Sequence, residues 1–291
     1  MKIVSSPSVP EHQNDYLDLM PPLREVISTY NLRAEKSLGQ NFLLDSNITD
    51  KIVSFLDGQF SADMNVFEIG PGPGGLTRSL LRSRVARVIA LEYDPRAIEA
   101  LGDLIAKAKG RLDVRHADAL DVDLRHLSEA PRAIVANLPY NIATPLLINW
   151  LKIIAADKND ISVMGLMFQK EVAERIVARP GSKAYGRLSV MAQWLCDVQK
   201  VYDLPPSAFT PSPKVSSSIV RFTPKNLPED SPSFAKVEKI TAMAFNQRRK
   251  MIRASLKPYL SAIESLGLEP TLRAENLEVS DFVALARKIK S

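Results

Sequence analysis

Cysteine is almost absent. Cys196 is the only one in 291 residues, so no intrachain disulfide can form, and the chain reads as the product of a reducing compartment. Histidine is nearly as scarce. His12, His116 and His126 are scattered, and with a single thiol they offer no zinc-ligand spacing, so no metal site is expected. No apolar stretch is long enough to span a bilayer, so no membrane role is expected. Neither sign of charge dominates: 38 Lys and Arg stand against 33 Asp and Glu, an excess that permits a polyanionic partner without demanding one. Residues 1–14 lack the apolar core of a secretory signal, and no arginine precedes Arg24, so a transit peptide is not expected either. The expected location is cytoplasmic. Internal repeats and low-complexity tracts are missing as well.

An apolar content of 45% suffices for a core, and the length allows one large domain with an appendage. Residues 1–22 are rich in proline, serine and polar residues and read as a flexible tail. A short helix over 23–30 follows. The polar loop 36–43 is anchored by Phe42 and Leu43, and Asp45 can cap a helix running to about residue 56. Residues 66–69 read as a strand, 70–75 as a tight turn and 76–84 as a helix. Gly70, Gly72 and Gly75 satisfy the G-x-G-x-x-G spacing, in which glycines let a ligand approach the backbone. A second strand, 85–91, ends in Glu92, about 20 residues on, where a carboxylate takes the ribose hydroxyls of a bound adenosine. A helix over 96–108 and a strand over 112–114 follow. Asp118 lies in the next loop, close to where an adenine amino group would lie; its plainer reading is a helix cap.

A fourth strand, 133–136, leads into Asn137-Leu138-Pro139-Tyr140, at a carboxyl strand end where open α/β sheets place their ligands. An amide side chain and carbonyls beside a proline can accept hydrogen bonds from an amino group. Proline has no N–H and stiffens the loop. Tyrosine offers a face on which a base can stack. Four strands alternating with helices predict a doubly wound sheet. A helix over 145–154, a strand over 162–168, helices from 169 and over 186–196, and strands over 197–204 and 216–222 continue it. Between the last two, residues 205–215 are too proline-rich for a helix or central strand and read as a rigid loop presenting Phe209 and Lys214. Phe209 reads equally as a core anchor under that loop. The main α/β domain is expected over 23–225. Residues 226–291 read as a small helical domain carrying a basic patch at Gln247-Arg248-Arg249-Lys250 and Arg253, which by itself is an ordinary solvated face.

Taken in order, Gln40-Asn41-Phe42-Leu43, Glu68-Ile69-Gly70-Pro71-Gly72, Glu92, Asp118, Asn137-Leu138-Pro139-Tyr140, residues 209–215 and Phe245-Asn246-Gln247-Arg248-Arg249-Lys250 resemble the ribosomal RNA adenine dimethyltransferases. Within that family they resemble the type acting on adjacent adenosines near the 3′ end of small-subunit (16S) ribosomal RNA. The resemblance covers about residues 32–256. It implies a Rossmann-like class I methyltransferase fold: a seven-stranded sheet whose last strand is antiparallel, with a small all-helical C-terminal domain. It implies S-adenosylmethionine as methyl donor, held by Gln40, Asn41, Leu43, Glu68, Gly70, Gly72, Glu92 and Asp118, with Asn137 shared between donor and target. It implies catalytic roles for Asn137, Leu138, Pro139, Tyr140 and Phe209, the two rings enclosing the base. It implies RNA contacts at Lys214, Arg248, Arg249 and Lys250, and a monomer working on ribosomal RNA in an assembling small (30S) particle. The alternatives are a non-catalytic assembly factor on the same scaffold, and a methyltransferase for adenine in DNA or large-subunit RNA. The intact Asn137, Tyr140, Glu68 and Glu92 speak against the first. A nicotinamide enzyme would leave Asn137 to Tyr140 without a task.

Overall fold

The computed structural model describes residues 15–32 and 40–289. Lys36 to Gly39 of the expected donor loop and most of the expected tail lie outside the described residues. The chain packs as two compact units, residues 1–143 with 204–215, and residues 144–203 with 216–291. Its strands are β1 (Phe42–Leu43), β2 (Asn65–Ile69), β3 (Arg87–Glu92), β4 (Leu112–His116), β5 (Arg132–Asn137), β6 (Val163–Gln169), β7 (Cys196–Leu204), β8 (Phe209–Thr210) and β9 (Ser217–Pro224). Seven of them form one sheet in the order β4-β3-β2-β5-β6-β9-β7.

In the first unit β2 pairs in parallel with both β3 and β5, and β3 with β4. Val66, Phe67, Val88, Ile89 and Ile134 are fully buried, as strands covered on both faces require. The connecting helices begin where side chains supply the missing hydrogen bonds. Asp45 accepts from Asn47 N at 2.9 Å to open helix Ser46–Asp57, and Asp94 accepts from Arg96 N at 3.0 Å, with Pro95 at the first position of helix Pro95–Ala100. The single helix expected over 96–108 is two, Pro95–Ala100 and Gly102–Lys107. The break falls at Leu101-Gly102, where glycine is a poor helix residue. A helical turn, Asp15–Asp18, lies inside the stretch expected to be a loose tail, and Leu17 there is buried. One apolar side chain provides an anchor that the composition of that stretch conceals. Helix Leu23–Thr29 follows, and its Val26 packs with Leu32, Ala97 and Ala100.

In the second unit β6 and β9 are antiparallel, in register from Met164↔Phe222 to Gln169↔Ser217. Helix Arg187–Leu195 buries Val190, Met191, Ala192, Trp194 and Leu195. Helices Phe234–Asn246 and Val279–Lys288 pack on it. The ring of Phe245 lies 6.0 Å from Tyr185 and 5.5 Å from Phe282. The helices after residue 226 thus share a core with part of the sheet's own helical layer.

Candidate active site

Strand order turns back between β2 and β5, and a cavity of about 340 Å³ opens at the carboxyl ends of β2, β3 and β5. Gln40, Asn41, Leu43, Glu68, Gly70, Gly72, Glu92, Asp118 and the whole of Asn137 to Tyr140 line it. These residues span a hundred positions of sequence and meet in one place. Phe209 and Lys214 are not among the lining residues.

The glycine turn is shaped by its neighbours as much as by any ligand. Gly72 has φ +53°, and a Cβ there would lie 2.8 Å from Phe42 Cε1. A Cβ on Gly75 would run into the Leu43 carbonyl. The 40–43 loop is therefore seated directly on the turn. It is tied down along its length: Gln40 Nε2 donates to Asp94 Oδ2 at 3.2 Å, and β1 pairs with β8 as Phe42↔Thr210 and Leu43↔Phe209. Pairing of a two-residue strand inside the proline-rich loop was not expected. It buries Phe209 to 3% exposure, the anchor of the two readings open to it, and leaves Tyr140 as the expected base-stacking ring that reaches the cavity.

Glu92 accepts backbone N–H bonds from Gly72 at 3.1 Å and from Tyr93 and Asp94 at 2.8 Å. Burial raises its pKa and these three donors oppose the rise. A carboxylate has about four lone-pair positions, so one remains for a ribose hydroxyl. Asp118 Oδ1 accepts from Leu120 N at 2.9 Å. This bond caps a turn and not the helix expected after Asp118.

Asn137 Nδ2 donates to the Asn41 carbonyl at 2.8 Å. A carbonyl only accepts, so this bond fixes the amide with its Oδ1 as the remaining acceptor. In the next residues the Pro139 carbonyl is committed to Ile142 N and Ala143 N, both at 3.1 Å, whereas no backbone N–H among the described residues reaches the Leu138 carbonyl in this turn. Two acceptors, Asn137 Oδ1 and Leu138 O, are thus left at the mouth of β5. The Asn41–Asn137 bond joins residues 96 apart, and no local sequence signal announces it. Tyr93, which also lines the cavity and is 60% exposed, was likewise missed.

The cavity lining holds three carboxylates, Glu68, Glu92 and Asp118, and no lysine, arginine or histidine among the described residues. With a turn of positive-φ glycines, a buried carboxylate that keeps one acceptor position open and a buried Glu68 oxygen without a geometric hydrogen bond, the lining fits a cationic nucleoside. The sheet order, the glycine turn and this lining define a class I S-adenosylmethionine-dependent methyltransferase.

The family model for ribosomal RNA adenine dimethylase matches residues 31–290. A ribosomal RNA small subunit methyltransferase A from Rhodospirillum rubrum is 52% identical over 276 residues, 94% of this chain and 93% of that protein. A crystal structure of a dimethyladenosine transferase from Plasmodium falciparum superposes with TM-score 0.70 at 28% identity, covering 83% of this chain and 94% of that one. The 23S rRNA methyltransferase ErmE superposes with TM-score 0.64 at 25% identity, covering 84% of this chain and 98% of that one. The chain belongs to the ribosomal RNA adenine dimethylase family.

The expected RNA-contact residues divide. Lys214 is exposed in the first unit, and Arg249 and Lys250 are exposed in the second. Arg248 donates to the Lys183 and Tyr185 carbonyls at 2.8 and 3.0 Å and lies 3.6 Å from Glu275, so part of its donor set holds a loop. Gly181 N donates to Glu275 O at 2.6 Å and Ile252 N to Leu272 O at 2.7 Å. These bonds join the segments that carry exposed Arg179, Lys183 and Arg273 to the chain beside Arg249 and Lys250. No helix among the described residues is long and apolar enough to cross a membrane.

Proposed function

We propose that this methyltransferase dimethylates the exocyclic amino groups of two adjacent adenosines near the 3′ end of small-subunit ribosomal RNA, acting as a cytoplasmic monomer on an assembling small subunit. The observation that carries the proposal is the fixed amide of Asn137, whose Nδ2 is taken by the Asn41 carbonyl so that Oδ1 is left to accept. The 52% identity to a small-subunit methyltransferase supports the choice of subunit.

S-adenosylmethionine supplies a methyl group on a sulfonium. The chain supplies position and polarity. An adenine amine is a poor nucleophile because its lone pair is shared with the ring. Accepting its two N–H bonds at Asn137 Oδ1 and Leu138 O favours a pyramidal nitrogen whose lone pair can attack in line. Pro139 stiffens the segment, and Tyr140 stacks on a base that has left its helix. Holding the amine in line contributes most of the acceleration. The product proton is acidic and leaves to water, so no general base is needed. After the first transfer one N–H remains, and either acceptor can hold it. Glu92 takes a ribose hydroxyl and Asp118 Oδ2 the donor's adenine amine, while Gln40, Asn41 and Leu43 close the donor side. Lys214, Arg249, Lys250 and the neighbouring Arg179, Lys183 and Arg273 contact RNA phosphate.

The test is methyl transfer with labelled donor to undermethylated small subunits, naked ribosomal RNA, large subunits and DNA. The expected product is dimethyladenosine in small-subunit RNA, formed best on the particle. Preferential labelling of DNA or large subunits would replace this substrate with another.

A further inference from the structure

Glu68 is the lining carboxylate that no cation among the described residues balances. It lies on β2 immediately before the glycine turn, 1% exposed, and its Oε2 has no hydrogen-bond partner. Its register neighbours are Ala90 on β3 and Val135 on β5, both neutral. From helix Gly75–Arg82 it faces the Thr77 hydroxyl, which favours its charged form, and from the end of β3 it faces the charge of Glu92, which opposes it. Asp118 lies farther along the same lining, which offers no cation among the described residues. A cavity with three acids and, among the described residues, no base suits a positive ligand.

Of the two buried glutamates, Glu92 holds three N–H donors and is the one stabilised as an anion. Burial pushes the Glu68 pKa up to about 8, with the Glu92 charge adding to the rise and Thr77 opposing it. At neutral pH the ligand-free site therefore holds Glu68 as the acid.

Resting on the donor-site reading above, we propose that Glu68 is a proton-linked sensor of donor charge: it releases its proton when the sulfonium enters and regains one when only the uncharged thioether remains. No covalent bond is made to Glu68. Its proton passes to buffer as the cation arrives, which leaves a carboxylate opposite the positive charge. Once the methyl group has gone to the amine and the sulfur is neutral, Glu68 takes a proton back from solvent. The anion then has no cation to hold it, and product is exchanged for fresh donor. Glu68 is thus a specificity-determining residue that separates donor from product by charge, beyond any shape difference of one methyl group.

An opposite charge nearby lowers a carboxylate by roughly 1–3 units. Starting from about 8, that releases roughly 0.4–0.9 proton per site at pH 7. Both S-adenosylmethionine and S-adenosylhomocysteine carry the same titrating α-amino group, so its contribution cancels between them. The experiment is calorimetric titration of the full-length enzyme with each ligand, at pH 7 in buffers of different ionisation enthalpy. For the wild type the donor should release roughly 0.4–0.9 more proton than the product, and the infrared carbonyl band of a protonated carboxylic acid should weaken by the same fraction on donor addition and not on product addition. In Glu68→Gln both ligands should bind and the difference should collapse to near zero. Equal proton release for the two ligands in the wild type overturns the proposal without recourse to any variant, and an undiminished difference in Glu68→Gln overturns it as well. Binding with equal release leaves the donor-site reading standing, whereas failure of the wild type to bind either ligand removes both.

Discussion

Gly72→Ala should damage the donor cavity from within. The backbone there has φ +53°, which costs an L-residue roughly 1–2 kcal/mol. The new Cβ would lie 2.8 Å from Phe42 Cε1 and 3.0 Å from Cδ1. Phe42 is buried and its backbone is held by pairing with Thr210, so its ring can give way only toward the donor cavity that it lines, and overpacking of this kind costs about 1–3 kcal/mol. Together these predict a loss of roughly 2–5 kcal/mol, a fall in Tm of about 4–20 °C for a domain of this size. The same shift disturbs the Gly72 N–H bond to Glu92, 3.1 Å long; losing a hydrogen bond to a charged group weakens binding by about tenfold or more. Thermal melting with and without S-adenosylmethionine, together with calorimetry, reads both effects. Adding Phe42→Leu should recover about 1–3 kcal/mol, the overlap part, and leave the backbone strain. An alanine variant that melts with the wild type and binds donor equally well would refute the reasoning.

Three further outcomes are expected. Glu92→Ala should weaken donor affinity by about 1.5–3 kcal/mol, measured by calorimetry; wild-type affinity would remove Glu92 from the site. Arg248→Ala should lower Tm, because it deletes bonds to the Lys183 and Tyr185 carbonyls, whereas Arg249→Ala and Lys250→Ala should leave Tm alone and each flatten the salt dependence of RNA binding by about one phosphate contact. Tyr140→Ala should lose about 1–3 kcal/mol of target binding while Tyr140→Phe keeps most activity; equal damage by both would assign the task to the hydroxyl and not the ring.

Much of this was legible in the sequence where the signal is local. The apolar runs of β2, β3 and β5, the glycine spacing after β2, and Asp45 and Asp94 before their helices each announce themselves within a few residues. Family resemblance extended that to the number of strands in the sheet and its antiparallel last strand. What stayed hidden was long-range. The β1–β8 pair joins Phe42 to Thr210, and proline beside Thr210 argued against any strand. It also decided the place of Phe209, which pattern alone left open between a stacking ring and a buried anchor. The Asn41–Asn137 bond, which turns the Asn137 amide, depends on two loops meeting in space. Leu17 shows the limit of composition in the other direction, since one buried leucine orders a turn in a segment whose average character is that of a tail. Arg248 shows it for charge: a cation in a basic run can be held by carbonyls that the run does not contain.

The central claim is that Asn137 acts on the target amine. Its most direct test is single-turnover methyl transfer by Asn137→Ala on undermethylated small subunits, with donor affinity measured in parallel. The variant loses the bond to Asn41 O at 2.8 Å, so donor affinity should fall by no more than about 0.5–1.5 kcal/mol, the worth of one ordinary hydrogen bond. The transfer step at saturating donor should fall by about 10²-fold or more, as removal of a transition-state hydrogen bond does. Near-normal transfer at saturating donor, or a loss accounted for wholly by weakened donor binding, would contradict the account and place Asn137 in the donor site alone.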